Sequence, residues 1–286
     1  MTPMASEVEA LGAGRARVDL VGWRITEVLG DDATGWLNDL VTARVDDLAE
    51  GWARRSLVLT PTGRIRADFT MARLGDGFTL VQDPRQPETV ATILAPYVLS
   101  SRVELADRGA EWRIVAMPGR PLPDPSPSPA YAPSVLGGGG HDLVIRAGEG
   151  DPGDDGLVRV GLDAVEAWRV REGRARFPAD LSVDSLPHEA GLDREIPQKG
   201  CYLGQEAVAK VRNLGHPPRV VLAFRADGPA EVGDAVLAGG DEVGTVTSVA
   251  PADGGLAGIA RVRWAARRSA LSTSRGTALA VARTEG

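Results

Sequence analysis

The apolar residues of the chain recur with two periods, which indicates that it forms both strands and helices. Alternation of apolar and polar residues predicts strands within residues 15–29 and at 103–107, 112–116 and 142–146. A helix is predicted after Gly30, because the apolar residues there have helical spacing. Its apolar face is formed by Ala33, Trp36, Leu37, Leu40 and Val41.

Three further stretches are predicted to be helices. The first begins at Pro87, since proline is favoured at the first helical position, and Pro96 ends or tightens it. The second ends at Gly173, and the third follows Gly204 and ends near Gly215. Their apolar faces are, in chain order, Val90, Ile93, Leu94 and Tyr97; Leu162, Val165 and Trp168; and Ala207, Val208 and Val211.

A hairpin is predicted between residues 54 and 71. Two alternating stretches, 54–60 and 64–71, are joined by the turn sequence Pro61-Thr62-Gly63. A further strand at 78–82 follows the next glycine turn.

The composition changes twice along the chain. Seven prolines lie from Pro118 to Pro133 and a run of glycines follows, so residues 118–140 are predicted to be a surface loop or linker. From residue 216 short strands alternate with glycine turns, which predicts a small β-barrel or sandwich of about 70 residues. We therefore expect two domains, residues 1–215 and 216–286.

Composition excludes several classes of protein. The 286 residues carry a net charge of −7, which argues against general nucleic-acid binding. A single cysteine excludes a disulfide framework and a cysteine-rich metal site, and the three histidines lack metal-ligand spacing. We expect no bound metal. The sequence has neither a signal pattern nor a membrane span, so we expect a cytoplasmic location.

The one cysteine lies in the segment Lys199-Gly200-Cys201-Tyr202-Leu203-Gly204-Gln205-Glu206. Lys199 and Lys210 are the only lysines among 32 basic residues. Because Cys201 precedes a predicted helix start and follows Lys199, we expect a reactive thiolate or a ligand-holding thiol. The alternative is a small buried residue, since free cysteines are often buried.

The long stretch that leads into this segment has no strong period. Residues 176–201 combine turn signals with several carboxylates, and long irregular stretches inside compact domains are often functional. We therefore interpret them as part of a site.

Three motifs resemble the YgfZ-type folate-binding proteins, relatives of the glycine-cleavage T-protein (aminomethyltransferase). Residues 199–206 resemble the K-G-C-[FY]-x-G-Q-E signature of the YgfZ branch. Residues 57–68, with Pro61-Thr62-Gly63-Arg64 and Ala67-Asp68, are similar to the family's hairpin. Residues 186–192, Leu-Pro-His-Glu-Ala-Gly-Leu, resemble its P-x-E-A-G-L element.

The resemblance implies an α+β fold with two interleaved lobes, which form a ring-like folate-binding unit, and a small C-terminal β-barrel. It also implies a protein that binds tetrahydrofolate and supports assembly or repair of iron–sulfur enzymes, which would be its client partners. A role in tRNA modification is attached to the family as well. T-proteins have adjacent carboxylates in the hairpin and no cysteine in the equivalent of 199–206. At the corresponding positions this chain has Ala67-Asp68, with one carboxylate in place of two, which weakens an aminomethyltransferase assignment.

The resemblance makes Glu189 the expected ligand of the pterin, because the matching T-protein glutamate holds that ring. The alternative for Glu189 is a first-turn glutamate that offsets a helix dipole. Asp68 either faces the reduced ring of folate or lies on the polar face of a strand. Arg64 either contacts folate or is a solvated turn residue.

The remaining candidates have two interpretations each. Tyr202 either stacks on the pterin or joins the core. Gln205, with Glu206, either lines the pocket or caps its own helix. Arg219 and Arg225 either bind the glutamate tail of folate or lie on the surface of the barrel. His188 and His216 are candidate bases for Cys201.

Three functions follow from these assignments. In the first, a folate-binding protein supports iron–sulfur enzymes, with Cys201 as thiolate and Lys199 tuning it. In the second, a folate-dependent aminomethyl- or methyltransferase uses Asp68 as its acid/base group. In the third, a non-catalytic scaffold binds folate or a partner protein.

Overall fold

The computed structural model describes residues 3–121, 130–133, 136, 139–149 and 156–281. Internal contacts divide the chain into two compact units. The first unit is Met1–Ala164 with Glu195–Gln205, and the second is Val165–Arg194 with Glu206–Gly286. The chain therefore leaves the first unit, returns to it for eleven residues and leaves again. The predicted domain boundary after residue 215 stays a prediction.

The first unit contains ten strands and three helices within its described residues. The strands are β1 (Ala16–Asp19), β2 (Arg24–Leu29), β3 (Ala53–Leu59), β4 (Ile65–Leu74), β5 (Gly77–Gln82), β6 (Glu104–Asp107), β7 (Trp112–Met117), β8 (Ala130–Pro133), β9 (His141–Arg146) and β10 (Val158–Arg159). The helices are α1 (Pro3–Gly12), α2 (Ala33–Leu40) and α3 (Val90–Leu94), and α3 continues as a 3-10 turn, Ala95–Tyr97.

These strands form two five-stranded sheets. One has the order β3-β4-β5-β2-β6 and is antiparallel throughout. Its core is formed by the apolar residues of β4 and β5, which pack against α2 and α3. The predicted hairpin is confirmed as β3 and β4, joined by a turn at 60–63. The other sheet has the order β10-β1-β7-β9-β8, and only the β1–β10 pair is parallel.

Two local predictions are corrected. Helix α3 begins at Val90 rather than Pro87, because the Thr89 hydroxyl caps it by accepting from the Thr92 backbone N–H. Part of the predicted linker 118–140 is the edge strand β8, which pairs with β9. Its proline stands at the strand end, where a missing backbone N–H is tolerated.

The second unit contains six strands, β11 (Arg219–Ala226), β12 (Ala235–Ala238), β13 (Asp241–Ala252), β14 (Gly255–Arg263), β15 (Leu271–Thr273) and β16 (Ala278–Val281), within its described residues. They form a closed barrel in the order β11-β14-β13-β12-β15-β16, which confirms the predicted barrel. Its core is apolar, with Phe224, Val236, Val246 and Val262 among its buried residues. The short strand β15 was not predicted.

Two helices complete the described chain, α4 (Leu162–Arg171) and α5 (Gln205–Leu214). The irregular stretch between them contains two 3-10 turns, Pro187–Ala190 and Leu192–Glu195. No helix in the described ranges is long and apolar enough to cross a membrane.

Asp180, in the second unit, is a buried carboxylate with all of its charge compensated. Its Oδ2 accepts from Arg169 Nη1 at 2.6 Å and from the Arg176 backbone N–H at 3.0 Å. Its Oδ1 accepts from the hydroxyls of Thr247 and Ser248 at 2.6 and 2.7 Å. The loop that follows α4 is therefore joined to strand β13 by a buried, hydrogen-bonded ion pair.

Candidate functional site

Residues 195–205, which we call the cysteine segment, belong to the first unit. Leu203 packs against the apolar core behind the β3–β6 sheet. The Arg44 guanidinium donates to the Gln198 carbonyl at 2.7 Å. The segment is therefore fixed to the first unit both by apolar packing and by hydrogen bonds.

Lys199 supplies the most buried of these polar contacts. Its ammonium donates to the carbonyl of Asn38, in the last turn of α2, and to the carbonyl of Ala43 at 2.8 Å. Carbonyls at a helix C-terminus lack partners within the helix, and a cation is favoured there. Lys199 therefore caps α2 and the loop after it.

Burial lowers the pKa of Lys199 to about 8, and the carboxylates of Asp39 and Asp46 limit the shift. The ammonium also lies 5.6 Å from the centroid of the Tyr202 ring, within reach of a cation–π contact. Both predicted residues thus belong to one cluster in the first unit.

Cys201 is exposed, so the alternative of a small buried residue is wrong. The thiol makes no hydrogen bond within the described part of the chain, and the ammonium of Lys199 is bonded to backbone carbonyls instead. The proposed tuning of Cys201 by Lys199 has no direct contact to support it. Lys199 holds the backbone on which the thiol is displayed.

Gln205 is the first residue of α5. Its side-chain Oε1 accepts from the Tyr202 backbone N–H at 3.3 Å, and its own N–H donates to the Tyr202 carbonyl at 3.2 Å. This reciprocal contact joins the start of α5 to Tyr202, and both interpretations of Gln205 stay predictions.

Gly204 joins the cysteine segment to the β3–β4 hairpin. A Cβ atom on Gly204 would lie 2.5 Å from the Thr60 carbonyl oxygen and 3.3 Å from Gly63 Cα, and its φ is +84°. Only glycine meets both conditions. The hairpin motif and the cysteine motif therefore pack against each other, and exposed Arg64 follows the same turn.

Asp68 lies in β4, and Arg55 of β3 holds it with two parallel hydrogen bonds, Nε to Oδ1 at 2.8 Å and Nη2 to Oδ2 at 2.6 Å. Arg55 also lies 3.6 Å from a carboxylate oxygen of Glu195, in the cysteine segment. Burial opposes the charge on Arg55, but the two carboxylates outweigh it, so its pKa lies above the usual value. Asp68 thus joins an ion-pair chain from the hairpin to the cysteine segment.

Sequence reasoning missed Arg55, although the hairpin register contains the signal. Leu57 is the direct cross-strand partner of Asp68, so Arg55, two residues earlier, is its diagonal neighbour on the same face. Gln86 was also missed. Its side chain bonds both backbone groups of Asp68, at 3.0 Å to the N–H and 2.6 Å to the carbonyl.

Glu189 belongs to the second unit and is engaged by Arg261 of strand β14. Arg261 Nε donates to Oε2 at 2.6 Å and Nη2 donates to Oε1 at 3.2 Å. Oε1 also accepts from the Leu186 backbone N–H at 3.2 Å, as in a capping box. The Glu189 side chain is 1% exposed.

A carboxylate has about four lone-pair positions, and three of those on Glu189 are occupied. One position remains, on Oε2. In this conformation Glu189 can accept at most one further hydrogen bond, and not a pair.

His188, His216 and Arg225 also lie outside the first unit. His188 is buried beside Asp193, at 3.8 Å, and burial lowers its pKa. His216 stacks on Trp264, with ring centroids 5.1 Å apart. Arg225 donates to a backbone carbonyl of α4, which matches its interpretation as a surface residue. Among the residues that the structure describes, no group of three or more His, Cys, Asp or Glu side chains has the arrangement of a metal site.

Residues 1–121 match the model of the GCVT N-terminal domain. A chloroplastic protein of Arabidopsis thaliana named as a transferase is 25% identical, over 84% of this chain and 63% of its own length. An aminomethyltransferase of Rubrobacter xylanophilus is also 25% identical, over 91% of this chain and 86% of its own. This chain thus spans less than two thirds of the Arabidopsis protein.

The crystal structure of the glycine cleavage system aminomethyltransferase T from Bartonella henselae superposes with a TM-score of 0.80. The match covers 98% of this chain and 88% of that one, at 19% sequence identity. The fold is therefore that of the aminomethyltransferase T protein, α+β with a closed C-terminal barrel.

We expect Lys199→Met to lower the free energy of unfolding by about 1–3 kcal/mol, since it leaves two carbonyls without their donor. Lys210→Met is the matched control. It removes the only other lysine, which is exposed, and should change stability by less than about 0.5 kcal/mol. Urea-induced unfolding of both variants measures the difference. Equal stability of the two variants would show that the cap contributes little.

Proposed function

We propose that this protein binds tetrahydrofolate and supports the assembly or repair of iron–sulfur enzymes, with the Cys201 thiol as its reactive group. The observation that carries the proposal is the fold, which is that of an aminomethyltransferase T protein over 98% of the chain. The match of residues 1–121 to the GCVT N-terminal domain supports a folate-related function. The YgfZ-type signature at 199–206 supports the iron–sulfur role.

The exposure of Cys201 favours a role in which its thiol reacts with, or binds to, another molecule. It is exposed, while the residues around it in the cysteine segment are held by Lys199, Leu203 and Gly204. A thiol on a fixed backbone loses little conformational freedom when it binds or reacts, which increases the affinity or rate of that step. Its expected partners are client enzymes that carry iron–sulfur clusters.

For the folate, we propose Glu189 as the residue that contacts the pterin. The remaining lone pair on Oε2 accepts one N–H, and Arg261 fixes the carboxylate so that this lone pair has a defined direction. A second N–H contact would require the Leu186 N–H to leave Oε1. Tyr202, Gln205, Arg64 and Asp68, which belong to the first unit, stay predictions from the sequence.

Calorimetric titration with tetrahydrofolate tests the folate half of the proposal. We expect binding to the wild-type protein. Binding to Glu189→Gln should be roughly tenfold weaker, because one charge-assisted hydrogen bond to the ligand is lost. Asp184→Asn is the control, because Asp184 also pairs with Arg261, at 3.0 Å, and the change in charge is the same. Absence of any binding to the wild type would overturn the proposal.

Complementation tests the thiol half. In cells that lack the native protein, Cys201→Ala should restore little activity of iron–sulfur enzymes, because the variant has no thiol at all. Lys210→Gln, a change at an exposed residue nine positions away, should restore activity as the wild type does. Immunoblots ensure that the variants accumulate equally. Full rescue by Cys201→Ala would remove the role assigned to the cysteine.

A second candidate, a folate-dependent aminomethyltransferase, is favoured by the names of the relatives. Asp68 would be its acid/base group, yet both of its oxygens are bonded to Arg55. The two hydrogen bonds hold the carboxylate against the guanidinium, so a substrate could reach only the lone pairs that Arg55 leaves open. The geometry favours the first candidate.

Incubation with tetrahydrofolate and methylamine donors decides between the candidates. An aminomethyltransferase would form methylene-tetrahydrofolate, and Asp68→Asn would abolish the product. Asp83→Asn is the matched control, since Asp83 makes the same bidentate contact with Arg85. We expect no product with any donor, and turnover that depends on Asp68 would establish the second candidate instead.

A further inference from the structure

The second unit contains a cavity of about 250 Å³ on the outer face of its barrel. Strands β11, β13 and β14 form one wall, and residues 179–182 form part of another. The lining is mainly polar and includes Arg219, Arg261 and Arg263. Three guanidinium groups line this one cavity, and their positive charges are compensated to different extents.

Two of the charged groups in the wall are already satisfied. Arg261 is paired with Glu189 and with Asp184, and it also donates to the Ser182 hydroxyl at 3.1 Å. Asp180 accepts four hydrogen bonds, one of them from Arg169. Neither group needs a ligand.

Arg219 and Arg263 are not satisfied in this way. Within the described residues, the one ion pair of Arg219 is a 3.9 Å contact with Asp184, whose carboxylate is shared with Arg261. Arg263 is exposed and has no hydrogen bond or ion pair with any residue of the described chain. The cavity thus presents two guanidinium groups with unused donors.

These two arginines are also direct cross-strand partners in the β11–β14 ladder. Like charges opposite each other in a sheet are destabilising, so the pair costs folding stability. An anion between the two guanidinium groups would remove the repulsion and accept hydrogen bonds from both of them.

We propose that this cavity binds a small anion, a carboxylate or phosphate group, between Arg219 and Arg263. Thr245, which lines the same cavity, supplies a hydroxyl on the neighbouring strand β13. Glu242 lies in the same lining, is exposed, and opposes the anion by charge repulsion. The cavity shares Arg261 with the Glu189 contact proposed above, but Arg219 and Arg263 are not among the proposed folate contacts.

Titration with inorganic phosphate and, separately, with glutarate at low ionic strength tests the proposal and distinguishes the two anion types. We expect at least one to bind the wild type and to raise its melting temperature. The double variant Arg219→Gln/Arg263→Gln should bind roughly tenfold more weakly or not at all. Arg225→Gln, which removes an exposed arginine of β11 outside the cavity, should bind as the wild type does.

Glu242→Gln should have the opposite effect on anion affinity, because removal of the repelling carboxylate should strengthen binding. Without anion, the double variant should melt no lower than the wild type, since it loses a like-charge pair. Absence of binding of both anions to the wild type, or equal binding by the double variant, would overturn the proposal. Tetrahydrofolate affinity should be the same in the double variant, so failure here leaves the folate proposal intact.

Discussion

The placement of the cysteine segment depends on the ammonium of Lys199 and the two backbone carbonyls that it caps. The chain returns to the first unit only for residues 195–205, between two stretches that belong to the second unit. A short return of this kind has little core of its own, so its position must come from contacts with the rest of the unit. Lys199 provides them at the C-terminus of α2, where carbonyls without partners are available.

Both carboxylates expected at the folate site are held by arginine. Asp68 is bonded by Arg55 and Glu189 by Arg261, each through two hydrogen bonds of a guanidinium fork. Buried or half-buried carboxylates need such compensation, because an unpaired charge away from water is costly. The pairing fixes their direction and reduces the number of lone pairs left for a ligand.

The sequence predicted those parts of the fold that depend on local pattern. The β3–β4 hairpin and the barrel strands have clear alternation and turn residues, and both were confirmed. The edge strand β8 was missed because prolines around it argue for a loop, and its pairing with β9 depends on distant residues. The partners of Lys199 were beyond prediction for a different reason. They are backbone carbonyls, which any residue could supply, and only tertiary structure selects them.

Gly204 shows why two motifs far apart in sequence belong to one arrangement. Its position in the cysteine segment leaves no space for a Cβ against the Thr60 carbonyl, and its positive φ excludes most side chains. The turn 60–63 must in turn be tight enough to present that carbonyl, which the hydrogen bond from Gly63 to Thr60 achieves. The hairpin turn therefore forms the surface on which the cysteine segment lies. The hairpin strands add the Arg55–Glu195 ion pair and apolar packing of Leu203, so the segment that carries Cys201 is held by both backbone and side-chain contacts.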